Sequence, residues 1–155
     1  MTTQAPDKFQ APALGGATFG RMPDFDHPRV KRTDHPHIPD GYRGFDRFAS
    51  TACYRRYIAT WELRDQSLYL LDVAGYYVIV GESPVPADWY SGWLMVDHGQ
   101  LVTEDFYPMQ PVYEHCTAFE FSHGCLQERT EWRYDSANSR DPFFQLQQFE
   151  MSLKR

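Results

Sequence analysis

Three groups of residues in this 155-residue chain have the types that do chemistry. The first is the stretch "STACYRRY", residues 50–57, where Cys53 stands beside hydroxyls and is followed by Arg55 and Arg56. A nucleophilic thiol needs an electropositive setting and a base within hydrogen-bond reach. In an extended strand Arg55 shares the face of Cys53 and Arg56 points away. No Cys/His signature accompanies it, so Cys53 is read as a core thiol. The second group is "DFDHPRVKRTDHPH", residues 24–37, which carries Asp-His-Pro twice. Its carboxylates and imidazoles are metal-ligand types, but its prolines impose extended backbone and the spacing matches no compact site. The third is His115, Cys116, His123 and Cys125. Structural zinc takes ligands paired two to four residues apart in each half. Here Cys116 is expected several rungs up the ladder from Cys125, so the four do not converge. Phosphate-cradling Gly loops, G-x-S-x-G and H-E-x-x-H are absent from the sequence. Glu104 and Asp105 are adjacent, which on a strand sends them to opposite faces. These residues therefore predict no catalytic residue, no metal and no cofactor.

Charge is more informative. Residues 1–47 hold seven Lys/Arg against six Asp, whereas residues 48–155 hold eight basic and fifteen acidic residues. Between Arg64 and Arg129 there is no Lys or Arg, and ten acids occupy that interval. A body of one sign repels nucleic acid and attracts cationic partners. Within it, "SPVPADWYSGW" (83–93) sets Asp88, Trp89 and Tyr90 in a loop bounded by prolines. Trp and Tyr are common anchors of interfaces. The candidate partner-binding residues are Asp65, Asp72, Glu82, Asp88, Trp89, Tyr90, Asp97, Glu104 and Asp105.

The elements that would carry these residues are mostly strands. Residues 1–47 contain six prolines and five glycines with scattered aromatics, which predicts an extended arm tied to the body by its rings. Residues 48–155 are expected to form a single β-rich domain. "LRDQSL" (63–68), "VDHGQL" (96–101) and "FSHGCL" (121–126) each place turn-forming residues between apolar ones. Each is flanked by strand-like sequence, so three hairpins are expected. "YYVIV" (76–80) adds a further strand. Leu68 and Leu70 share one face while Tyr69, Leu71 and Val73 share the other. Both faces then need cover, which predicts an antiparallel meander closed into a β-sandwich or barrel. At the C-terminus, Asp141 could cap and Pro142 could open a helix, though a last strand fits nearly as well.

"STACYRRYIATWELRDQSLYLLDV" (50–73), "PVPADWYSGWLMVDHGQL" (84–101) and "PVYE" (111–114) resemble a family of small uncharacterised bacterial proteins. Its members share a Ser-Thr-Ala-Cys-x-Arg strand, Thr-Trp-Glu-x-x-Asp-x-x-Leu-Tyr-Leu, Asp-Trp-aromatic-Ser-Gly and Val-Tyr-Glu. The likeness spans about residues 48–128 and departs at Arg56 and around Tyr107–Pro111. It implies a β-rich bacterial fold and assigns no catalytic residue.

No apolar run reaches the about 20 residues of a membrane helix, and the N-terminal residues lack the pattern of a secretory signal. Three cysteines, an odd and low count, fit a reducing, cytoplasmic compartment. The leading expectation is a non-catalytic, cytoplasmic immunity or inhibitor-type protein. Its acidic surface would bind a basic protein partner, such as a toxin. A small-ligand barrel or enzyme, with Tyr54, Tyr57, Trp61 and Tyr69 at its mouth, is the alternative. A self-associating component of a phage or secretion assembly is a third.

Overall fold

The computed structural model describes residues 8–11, 15–19, 27–37, 57–104 and 111–153. The chain is mainly β. Its strands are β1 (Lys8–Ala11), β2 (Gly15–Phe19), β3 (Val30–His37), β4 (Tyr57–Arg64), β5 (Ser67–Ile79), β6 (Val85–Pro86), β7 (Gly92–Glu104), β8 (Pro111–Ser122) and β9 (Cys125–Arg133), followed by helix α1 (Pro142–Leu153). Cys53, Tyr54, Arg55 and Arg56 lie outside the described residues.

All nine strands join one mixed sheet in the order β3-β5-β4-β1-β2-β7-β8-β9, with β6 added beside β5. The expected meander is therefore only partly realised. Three strands of the Pro-rich region enter the sheet, and β1 lies parallel to β4, pairing Phe9 with Trp61. The sheet folds over so that its two halves bury a common core. Phe9, Trp61, Leu70, Leu94, Phe119 and Phe121 are among its large members, all almost fully buried. Phe9 and Phe119 meet at 5.6 Å between ring centroids. Arg129, the cross-strand partner of Phe119, sets its guanidinium over that ring, 5.4 Å from the centroid. The sheet does not close into a barrel, but at one end β5 reaches β9 through Ser67 and Cys125.

Two of the three expected hairpins are present. Asp65 and Gln66, both at positive φ, turn β4 into β5. Two successive left-handed residues make the turn that matches the twist of paired strands. His123 and Gly124 do the same between β8 and β9. The third, at 96–101, is corrected: β7 runs through it unbroken. Gly99, at φ +87°, absorbs a bulge between the pairs His98–His115 and Leu101–Tyr113. Asp, His and Gly suit a bulge for the same backbone reason that they suit a turn. The face assignment in β5 also changes. A register shift between Trp61–Leu70 and Thr60–Asp72 inserts Leu71. Val73 is thereby moved to the core side with Leu68 and Leu70.

The C-terminal segment is a helix, settling the open alternative. The Asp141 carboxylate accepts the Phe144 N–H at 2.9 Å, an N-cap bond, and Pro142 occupies the first helical position. The helix covers the outer face of β7 and β8. There Met95, Val112, Cys116, Ala118 and Leu146 form a second, smaller core, flanked by Trp93, Trp132, Phe143 and Phe149. Trp132 stacks on Phe149 at 6.4 Å. Gln145 fixes the helix start. Its side chain accepts the Asp135 N–H at 3.0 Å and donates to the Asp135 and Arg140 carbonyls at 3.1 and 3.0 Å. Both sheet faces are thus apolar where they are covered.

Phe119 sits where β1, β8 and the Arg129 lid meet. Phe119→Ala should lower the unfolding free energy by about 3–5 kcal/mol, as deletion of a buried ring does, measured by urea denaturation.

Candidate functional site

Three loops meet at the end of the sandwich where β5 touches β9. The Leu68 N–H donates to the Gly124 carbonyl and the Leu126 N–H to the Gln66 carbonyl, each at 2.8 Å. The loop before β7 is sewn into the same knot. Ala87 N–H donates to Leu68 O at 2.9 Å, and Gly124 N–H to Tyr90 O at 2.8 Å. Ser91 Oγ accepts the His123 N–H at 2.9 Å. These bonds are mostly main-chain to main-chain, so side chains at the loop tips are left to face solvent. Asp65, Asp88 and His123 are exposed there.

The aromatic pair of this loop supports it from below. Trp89 is half-buried, 6.2 Å from Trp61 in the core and 5.2 Å from the His27 ring. Tyr90 packs edge-on to Phe121 at 6.3 Å, and its hydroxyl donates to the Trp93 carbonyl at 2.9 Å. The segment before β3 reinforces the arrangement. Arg29 donates through Nε to the Val80 carbonyl at 2.9 Å and through Nη2 to that of Glu82.

The nine candidate binding residues do not form one patch. Asp65, Asp88, Trp89 and Tyr90 come together at the three-loop end. Asp72 lines a shallow depression of about 230 Å³ with His37, whose Nε2 lies 3.9 Å from Asp72 Oδ1; Gly81 and Ser83, on either side of Glu82, line it too. That volume falls short of the roughly 300–1,000 Å³ of small-molecule sites. Asp97 is partly buried, on the face of β7 and β8 that α1 covers. Glu104 ends β7 and Asp105 lies outside the described residues. Of the aromatic set expected at a barrel mouth, Tyr57 and Trp61 are core residues.

Two acids that belong with the loop end escaped the sequence reading. Glu120 on β8 stands directly across from Glu128 on β9, because the register shifts between Glu120 and Phe121. Without that bulge Glu120 would face Gln127. Like charges set opposite each other across a pair of strands are destabilising.

The sequence-level metal set does not assemble. Cys116 pairs with Trp132, while Cys125 pairs with Ser122 at the hairpin tip. Among the described residues no group of three or more His, Cys, Asp and Glu is arranged to hold a metal ion. His115 instead stacks on His98, its cross-strand partner, at 5.1 Å and 15°. His98 Nε2 lies 2.9 Å from the hydroxyl of buried Thr117. Burial, and then the neighbouring His115, hold the His98 imidazole below its ordinary range.

The opposite face of the same strands carries the most perturbed acid. Asp97 on β7 is paired with Cys116 on β8 and faces Glu150 of α1. Burial pushes its carboxyl up to about 7; the Cys116 hydrogen bond opposes this and Glu150 adds to it. Burial also pushes the Cys116 thiol far above its ordinary range, with Asp97 reinforcing the effect. Cys116 is therefore a protonated, unreactive thiol while covered.

No family model, no curated protein and no solved structure matches this chain. Among the described residues no helix is long and apolar enough to cross a membrane.

The knot depends on Gly124, at φ +78°, where an added Cβ would lie 2.6 Å from the Ala87 carbonyl oxygen. Gly124→Ala should cost about 1–3 kcal/mol through backbone strain and the forced separation of the loops. Denaturant melts would measure the loss, and amide exchange should localise it to residues 65–68, 87–91 and 122–126.

Proposed function

We propose that the protein is a non-catalytic binding module of the immunity or inhibitor type, which meets a basic protein partner with the acidic three-loop end. The observation that carries this reading is the main-chain knot joining loops 63–68, 83–91 and 122–126. It brings Asp65 and Asp88 to one end of the molecule and holds them on a backbone with little freedom to lose on association. The sequence interval from Asp65 to Glu128 holds no Lys or Arg, and Arg64, beside Asp65, is engaged by Glu62. The opposed pair Glu120–Glu128, next to the same hairpin, fits the reading: a repulsion kept in the free protein is relieved when a cation arrives. Such a partner would be cytoplasmic, for instance a toxin whose active surface is basic.

The test compares wild type with the charge-reversed double variant Asp65→Lys/Asp88→Lys. Capture from the native host at low salt should yield a basic protein. Its affinity should fall by about 10–100-fold in the variant, as expected for two charges of an interface reversed. It should also fall with rising ionic strength. Equal affinity of the folded variant, or binding indifferent to salt, sinks the reading. Glu128→Lys separates binding from folding. It should raise stability by about 0.5–1 kcal/mol by replacing a like-charge cross-strand pair with an opposite one, yet weaken partner capture. A variant that is both more stable and a better binder contradicts the proposal.

A further inference from the structure

The C-terminal helix packs over the face that carries the Asp97 carboxyl, and the charged neighbour that bears on it among the described residues is the like-signed Glu150. Asp97 lies on the outer face of β7, in the same row as Cys116 across the ladder. Helix α1 packs on this face through Leu146, Phe143, Phe149 and Leu153. The only titratable side chain among residues 142–153 is Glu150, which bears on Asp97 with the same sign.

The other elements packed around Asp97 supply little to offset a charge. From β8 come the protonated Cys116 and, one position along the same face, Glu114, whose Oε1 is taken by the Gln100 N–H at 2.8 Å. From β9, Trp132 stands opposite Cys116. From β2, Thr18 is in register with Asp97, and Lys8 of β1 continues that row. Lys8 is thus two strand spacings away, roughly 9–10 Å. His98 and His115 belong to the other face of the sheet.

We propose that this arrangement makes docking of α1 depend on pH: the helix is held while Asp97 carries a proton and loosens as Asp97 ionises. An ionised Asp97 under the helix would be a desolvated anion facing Glu150, and opening of the helix returns it to water. The sign follows from linkage. The carboxyl titrates higher in the docked state, about 7, than in the exposed state, 3.8. Its contribution is fully present below 3.8 and declines as pH rises through about 7. The start of the helix is pinned independently by Gln145, which binds Asp135 and Arg140. The loosening therefore falls on the second half, Phe149 to Leu153. Release there uncovers Met95, Val112 and the Cys116 thiol, which is then free to ionise. The inference stands apart from the proposed partner surface, since Asp97 lies on the face under α1 and not at the loop end.

Hydrogen exchange of the full chain tests it. After correction for intrinsic exchange, protection of the Phe149–Leu153 amides should fall by up to about tenfold for each pH unit between about pH 5 and pH 7, then level off. Core amides of Trp61 and Leu70 in the same spectra should hold their protection. Asp97→Asn, which cannot ionise, should abolish the pH dependence. Should that variant fail to fold, Glu150→Gln serves instead. It removes one of the influences that raise the Asp97 pKa and should shift the levelling-off to lower pH. Protection at 149–153 that is constant with pH in wild type overturns the proposal. So does the same decline in Asp97→Asn, or an unshifted profile in Glu150→Gln.

Discussion

The molecule is organised by the contact between two hairpin tips far apart in sequence. Leu68 N–H to Gly124 O and Leu126 N–H to Gln66 O bind the β4–β5 turn to the β8–β9 turn. Only a strongly bent sheet can bring these together, since five strands separate β5 from β9 along its ladder. That bend has two consequences. It turns the inner faces of both halves toward each other, so Phe9, Trp61 and Phe119 share one core. It also leaves the outer face of β7 and β8 convex and apolar, a surface that a 12-residue helix covers. The fit of Gly124 against Ala87, with no room for a Cβ, shows how closely backbone approaches backbone at this point.

Much of this was legible in the sequence where chemistry is local. Asp65-Gln66 and His123-Gly124 announced their turns because those residues accept left-handed backbone at low cost. Asp141-Pro142 offered a helix start, which a carboxylate and a fixed φ both favour, but left a last strand open. What stayed hidden was register. Three shifts, at Leu71, at Gly99–Gln100 and beside Phe121, each move a side chain to the other face or to a new partner. A period of two tells where a strand is but not where it skips a residue. The shift beside Phe121 is the one that places Glu120 across from Glu128. The strands of the Pro-rich region were hidden for another reason. Their pairing is long-range, β1 with β4 and β3 with β5, and little in their own composition reveals it.

The nine candidate acids and aromatics show the same divide. Asp65, Asp88, Trp89 and Tyr90 converge because their loops were correctly placed. Asp97 does not, because its position under α1 depends on how a segment 45 or more residues later packs. From sequence Asp97 is one of ten acids in an unbroken anionic interval. In the fold it is, among the described acids of that interval, the one most strongly driven toward its neutral form.

Carboxylates consequently play two opposite parts in one small protein. At the loop end they are exposed, and beside it Glu120 and Glu128 are set against each other, which costs stability. Under the helix the same group is withdrawn from water, where its charge is disfavoured by desolvation more than by any neighbour. A net charge of −6 therefore says little by itself about where negative potential appears. The sheet decides it: acids at the knotted tips face outward, while a residue beneath the helix keeps its proton across part of the neutral range. The division follows from the bend that joins the two hairpins, because the bend turns the loop tips outward and exposes to the helix the face on which Asp97 lies.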